Sequence, residues 1–168
     1  MSIVGINNTI LSGKSNNNYC NYIFGEYNQL SSPEYGGYDN LIFGGFNRLS
    51  GDEGTFRYNV LLGNRNIIRF DQNIGQSTTN ILIGLANFFG NNGSSETTSN
   101  YPNVLIGSEN KIIDSSDDGA YDTYVNNNFL FGKSNRIFFQ GPTTTNNFLF
   151  GNENKILEMG GNDNFIFG

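Results

Sequence analysis

The side chains best suited to chemistry in this 168-residue sequence are a group of carboxylates, since the chain has no histidine and one cysteine. The group consists of Asp114, Asp117, Asp118 and Asp122. Oxygen ligands at this spacing could hold calcium, but the segment lacks the alternating ligands and the terminal bidentate glutamate of a calcium loop. We therefore expect a solvated acidic loop, and the four residues are only weak metal candidates.

The composition offers few side chains that could act in catalysis. Without histidine there is no ordinary base near neutral pH and no Ser-His or Cys-His pair. Cys20 is the only cysteine, so no internal disulfide can form, and its place beside Asn21 at the start of a repeat predicts a partly buried free thiol. Paired carboxylates alone could hydrolyse a glycoside, but no carboxylate recurs at a fixed position in the sequence. We predict a protein that is not an enzyme and binds no cofactor.

The charge of the chain argues against two classes of partner. The net charge is −6, and the few Lys and Arg residues are scattered along the sequence, so nucleic acid is not an expected partner. No run of eighteen apolar residues exists, so membrane insertion by a helix is not expected either. No secretory signal is visible at the N-terminus.

The elements that position these side chains are built from a short repeated sequence motif. The motif consists of Asn, three apolar residues, Gly, two variable residues, Asn, a polar residue and an aliphatic residue. The glycines after the first copy are Gly25, Gly44, Gly63, Gly84, Gly107, Gly132, Gly151 and Gly168. The asparagines that follow them include Asn28, Asn47, Asn66, Asn110, Asn135 and Asn154. Self-similarity at a period near twenty residues indicates a stacked repeat architecture.

The content of each repeat favours strands over helices. Apolar triplets such as Val104, Leu105 and Ile106 are typical of strands, while Gly and Asn stand where a helix would need propagating residues. We predict one all-β domain over residues 1–168, a β-solenoid of about eight rungs of 19–25 residues with two short strands each. Glycine is assigned to a sharp bend after the first strand. The asparagines are assigned to bends and to stacked side-chain ladders.

The apolar triplets also predict self-association. If the middle residue of each triplet faces the inside of the coil, its neighbours face outward, because side chains alternate across a strand. The outward aromatic residues include Phe129, Phe131, Phe148, Phe150, Phe165 and Phe167. A long apolar stripe on a soluble protein marks an interaction surface, and closed symmetric assembly would cover it. A trimer is favoured, with an end-to-end filament as the alternative.

The connections between rungs vary in length and are polar. Loops that project from a rigid stack are natural places for recognition. Tyr101, Tyr121 and Tyr124 lie in the longest inserts and could contact a cell-surface glycan or protein. The competing interpretation is that these loops only cover a strand edge.

The repeat resembles the head repeat of trimeric autotransporter adhesins (the YadA-like head), which is also found in some phage tail fibres. The nearest copies are residues 102–112, PNVLIGSENKI, and 127–137, NNFLFGKSNRI. The resemblance implies a left-handed β-roll, three chains per assembly and a role in surface attachment. The rungs here are longer than that family's, and Leu and Phe replace its small residues.

Together these expectations describe a structural or adhesive fibre protein of a virus or phage, or a surface stalk, located on a virion or at the extracellular surface. The first alternative is a subunit of a head-to-tail extracellular filament, because the chain begins and ends inside a repeat. The second is a flat face that binds ice or a polysaccharide. The second alternative is disfavoured, because the exposed position of the second strand shows no column of threonines.

Overall fold

The fold is all-β and built from parallel strands stacked in three sheets. A computed structural model describes residues 2–12, 20–32, 37–51, 54–70, 75–91, 97–99, 102–114, 123–139, 143–158 and 162–168. Within these ranges there is no helix. The predicted β-solenoid is confirmed at this level.

Neighbouring strands in each sheet come from successive turns of the chain. The first sheet contains β1 (Ser2–Ile6), β3 (Tyr22–Glu26), β6 (Leu41–Gly45), β9 (Val60–Asn64), β12 (Ile81–Leu85), β15 (Val104–Ser108), β18 (Phe129–Lys133), β21 (Phe148–Asn152) and β23 (Phe165–Phe167). The second contains β2 (Thr9–Ser12), β4 (Gln29–Ser32), β7 (Arg48–Gly51), β10 (Ile67–Phe70), β13 (Phe88–Asn91), β16 (Lys111–Asp114), β19 (Arg136–Phe139) and β22 (Lys155–Glu158). The third contains β5 (Gly37–Tyr38), β8 (Gly54–Arg57), β11 (Gly75–Thr78), β14 (Thr97–Ser99), β17 (Thr123–Asn126) and β20 (Thr143–Thr145).

The third sheet corrects the predicted rung. Two strands per rung were expected, but a third strand lies in the connections that the sequence suggested were loops. This sheet has six described strands and so five steps, which gives about five turns with all three strands, not the eight two-strand rungs predicted. The first and second sheets continue beyond it, with nine and eight described strands. The third strand of each turn was not predicted because these strands carry no fixed apolar motif, so the sequence period did not reveal them.

The register places equivalent residues directly above one another. In β9 and β12, Leu61 pairs with Leu82 and Gly63 with Gly84, and the same alignment continues through the first sheet. The predicted stacking of the glycines is therefore confirmed. Parallel pairing of this kind brings like side chains to the spacing of neighbouring strands, about 4.8 Å.

The core is a set of apolar columns that run along the inside of the coil. The middle residues of the triplets and the second-strand aliphatics fill it as predicted; among the described residues, the core cluster includes Ile23, Ile42, Leu61, Leu82, Leu105, Leu130, Leu149, Leu30, Leu49, Ile68, Phe89, Ile112, Ile137 and Ile156. The third sheet adds Phe56 and Val125, which the sequence pattern did not single out. Thr144 occupies an equivalent inward position opposite Val125 and is also buried.

Two ladders of buried asparagines run beside the first sheet and confirm the predicted stacking role. In the second ladder, the amide Nδ2 of Asn66 donates to Oδ1 of Asn47 at 3.2 Å, and Nδ2 of Asn87 donates to Oδ1 of Asn66 at 3.0 Å. The backbone N–H of Asn87 donates to the same oxygen at 3.2 Å. The other ladder repeats this geometry, with Nδ2 of Asn40 donating to Oδ1 of Asn21 at 2.9 Å. These bonds satisfy polar groups that would otherwise be costly to bury.

The bends are made by the residue before each asparagine, which corrects the predicted bend role of the asparagines. Fifteen described residues other than glycine have φ between 50° and 61°, and every one precedes a ladder asparagine. They include bulky residues such as Phe46 and Thr79. Left-handed backbone costs roughly 1–2 kcal/mol per residue, so the ladder bonds must compensate for it. Pro102 takes this place before Asn103, where its ring fixes φ at a negative value.

The repeat glycines have a different role from the predicted bend. Gly84 lies inside β12 with φ of 118°, and the strand continues beyond it to Leu85. A Cβ at Gly84 would lie 1.9 Å from the carbonyl oxygen of Gly107 in the next turn. The carbonyl of Gly84 accepts a hydrogen bond from Nδ2 of Asn66 at 3.0 Å. Glycine is therefore required so that its carbonyl can turn toward the ladder.

Candidate self-association surface

The outward side of the first sheet is an apolar face made of two columns. It is formed by the first and third residues of each triplet, and none of these residues is charged. From the second strand onward, one column contains Tyr22, Leu41, Val60, Ile81, Val104, Phe129, Phe148 and Phe165, and the other contains Phe24, Phe43, Leu62, Ile83, Ile106, Phe131, Phe150 and Phe167. We call these sixteen side chains the apolar face.

The structure brings the six predicted phenylalanines together at one part of the apolar face. The rings of Phe131 and Phe150 stack at 4.7 Å with an interplanar angle of 8°. Phe148 contacts Phe150, Phe129 and Phe165 with centroid distances of 5.2 Å each. Stacking half-buries Phe129, Phe131, Phe148 and Phe150, since each ring covers its neighbour. The expected outward direction of these side chains is confirmed.

Both ends of the face are more exposed to solvent than the four stacked rings. Phe43 is 57% exposed, Tyr22 46%, Phe165 67% and Phe167 65%. A standard protein interface buries roughly 800 Å² on each partner. Burial of that area is worth about 20 kcal/mol before the cost of association, itself roughly 4–15 kcal/mol.

Polar residues border the apolar face on both sides. Along one side, Nδ2 of Asn127 donates to Oδ1 of Asn146 at 3.3 Å, and Nδ2 of Asn146 donates to a carboxylate oxygen of Asp163 at 2.9 Å. Along the other side, Asn64 and Lys133 lie one residue beyond the repeat glycine and are exposed. An apolar centre with a polar border is the usual anatomy of a protein interface.

The other predicted site residues lie apart from this face or outside the described residues. Asp117, Asp118 and Asp122, together with Tyr101 and Tyr121, fall outside the described ranges. Asp114 ends β16, and Tyr124 lies in β17. In the ranges that the structure does describe, no group of three or more His, Cys, Asp or Glu residues could hold a metal ion. Cys20 is a free thiol but exposed, not partly buried as expected, because it takes a left-handed corner position.

Threonines of the third sheet are a feature that the sequence interpretation missed. The strands β14, β17 and β20 each contain threonine, and Thr97 pairs with Thr123. The neighbouring column is mixed, because Tyr124 stands between Thr98 and Thr143. A threonine column is therefore interrupted in this part of the fold as well. Only the register of the third sheet could have revealed this arrangement.

Comparisons with known proteins identify no relative of this chain. No family model, no curated protein and no solved structure matches it. Among the described residues, no helix is long and apolar enough to cross a membrane.

Proposed function

We propose that this chain is a non-enzymatic structural and adhesive fibre protein, a self-associating β-solenoid of a virus or phage fibre or of a surface stalk. Its place is then a virion or the extracellular surface. The observation that carries this proposal is the apolar face, an uncharged strip along the first sheet. The rigid, hydrogen-bonded ladders beside it suit a protein whose work is mechanical.

We propose that three copies assemble around a common axis through the apolar face. Its two columns lie about 6.6 Å apart and extend over about 34 Å, as expected for alternate residues of eight stacked strands. If three such strips face one axis, one column of each copy meets the other column of its neighbour. Closed symmetry of this kind leaves no apolar strip exposed.

The test is a double substitution in the stacked rings, Phe131→Asp with Phe150→Asp. Both side chains face away from the core, so each rung should stay folded while two carboxylates enter the apolar face. The matched control is Phe46→Asp with Leu157→Asp, which adds the same charge at residues that are 54% and 63% exposed and lie off the apolar face. Aspartate tolerates the left-handed backbone at position 46.

The measurements are mass in solution by light scattering and strand content by circular dichroism. We expect the unmodified protein and the control to show three times the chain mass of 18.6 kDa, and the ring variant to show a single chain with unchanged strand content. A monomeric unmodified protein would refute self-association. An unchanged mass in the ring variant would show that copies associate through another surface.

A further inference from the structure

The second sheet gathers cations that are far apart in the sequence. Lys111, Arg136 and Lys155 are 25 and 19 residues apart, yet they pair in register at the start of β16, β19 and β22. The next residue of each strand points into the core, so the three cationic side chains point outward in one column. Neighbouring charges are then separated by about one strand spacing, 4.8 Å. The sequence interpretation of scattered positive charge is therefore incomplete. We call these three residues the basic column.

Within the part of the chain that the structure describes, no acidic side chain pairs with the basic column. None of its three cationic groups forms an ion pair or side-chain hydrogen bond with the described part of the chain. The Nε atom of Arg136 is buried without a hydrogen-bond partner. The nearest acids in sequence are Glu109 and Glu153, and Glu109 instead accepts a hydrogen bond from the hydroxyl of Ser134 at 3.1 Å.

Stacked like charges are a cost that the fold does not require. Directly opposed like charges destabilise a sheet by roughly 0.2–1 kcal/mol per pair. The same position in other turns carries Thr9, Gln29 or Phe88, so the strand geometry accepts uncharged residues. A ligand that brings negative charge would turn this repulsion into attraction.

An apolar column lies beside the basic column on the same sheet. It consists of the outward residues two positions further along each strand, Ile113, Phe138 and Leu157. Ile113 is largely covered, Phe138 is half-buried and Leu157 is 63% exposed. The surface therefore offers a row of positive charges next to a row of mainly aliphatic side chains.

We propose that the basic column and its apolar neighbours bind a linear acidic glycan that runs along the solenoid axis. Three charges in one column along the sheet suit a repeating polyanion, whose acidic groups can meet successive cations. Arg136 and the two lysines bind sulfate or carboxylate groups, and the aliphatic residues contact the C–H faces of the sugar rings.

Nucleic acid fits this surface less well. Proteins that bind single strands stack successive bases on aromatic rings, and the apolar column contains one aromatic residue, Phe138. The site does not depend on self-association, because it lies on the second sheet and the apolar face lies on the first.

The test uses heparin, a sulfated and carboxylated glycan, titrated into the native assembly by calorimetry. The variant is Lys111→Gln with Arg136→Gln, and the control is Arg48→Gln with Arg65→Gln. Both changes remove two positive charges, but the control residues are exposed and lie outside the basic column. Arg48 even occupies the same strand position, between Gln29 and Ile67.

We expect saturable heparin binding that weakens at least tenfold in the Lys111/Arg136 variant and changes less than threefold in the control, with mass in solution unchanged in both. The affinity should fall with salt at a slope of about −2 on logarithmic axes, as expected for three charge contacts that each release roughly 0.7 counterion from a single-stranded polyanion. Absence of binding at low salt, or equal losses in both variants, would overturn the proposal. Tighter binding of oligothymidylate of matched charge would assign the column to nucleic acid instead.

Discussion

The buried asparagine ladder offers the sharpest test of what holds the solenoid together. Asn66 is fully buried, and its Nδ2 donates to Oδ1 of Asn47 at 3.2 Å and to the carbonyl oxygens of Leu62 and Gly84 at 3.0 Å each. The substitution Asn66→Asp keeps the size and shape of the side chain. It replaces the donating nitrogen by an oxygen that faces three acceptors.

The expected loss of stability in the Asn66→Asp variant follows from the hydrogen bonds that are lost. A buried polar group left without its partner costs about 1–3 kcal/mol, and the amide nitrogen shares two hydrogens among the three acceptors, so the substitution should cost roughly 2–6 kcal/mol in the free energy of unfolding. That loss is a large share of the roughly 5–15 kcal/mol that stabilises an ordinary domain. The two bonds that Oδ1 accepts from Asn87 are kept, which limits the loss to the donor side.

The loss should depend on pH. Burial and the facing oxygens raise the pKa of the introduced carboxyl above its unfolded value of about 3.9. The folded variant then binds more protons than the unfolded one, so its stability falls as the pH rises from about 4 toward the raised pKa. Near pH 4 the protonated carboxyl can again donate one hydrogen bond, and part of the lost stability returns.

The assay is urea unfolding followed by circular dichroism, at neutral pH and near pH 4. The control is Asn64→Asp, the same chemical change two residues away at an exposed position with no ladder bond. We expect the control to stay within about 0.5 kcal/mol of the unmodified protein. Equal unfolding midpoints for the two variants at neutral pH would refute the stabilising role of the ladder.

Two further substitutions test the backbone and the core. Gly84→Ala should abolish folding or cost several kcal/mol of stability, because the added Cβ would lie 1.9 Å from the carbonyl oxygen of Gly107 and the φ of residue 84 is 118°. The control is Gly45→Ala, whose Cβ would press only on the movable side chain of Asn64. Thermal unfolding of both variants measures the difference. Thr144→Val should raise stability by about 1 kcal/mol, because the buried Oγ1 of Thr144 has no hydrogen-bond partner in the described structure. A lower melting temperature for the valine variant would show that this hydroxyl is satisfied.

The repeated positions could be predicted because stacking imposes the same chemistry on every turn. A ladder asparagine such as Asn66 needs another asparagine above and below it, so the requirement appears in the sequence as a period. The aliphatic columns follow the same rule, since each inward residue packs on its copies. These features were confirmed residue by residue.

The third sheet could not be predicted in the same way. Its inward positions change from Phe56 to Val125 to Thr144, and the segments before its strands differ in length. Variable connections remove the fixed spacing on which a periodic signal depends. Its strands are therefore defined by pairing with the turns above and below, which is a long-range property.

The sequence by itself determined a stacked coil, its glycine and asparagine columns and an outward apolar strip, because neighbouring turns repeat those requirements. Only the tertiary structure decided that the turn has three strands, that the left-handed corner residue precedes each asparagine, and that Lys111, Arg136 and Lys155 form one column. Those features depend on how one turn lies on the next. A distance along the chain does not report a distance across stacked strands until the register is known.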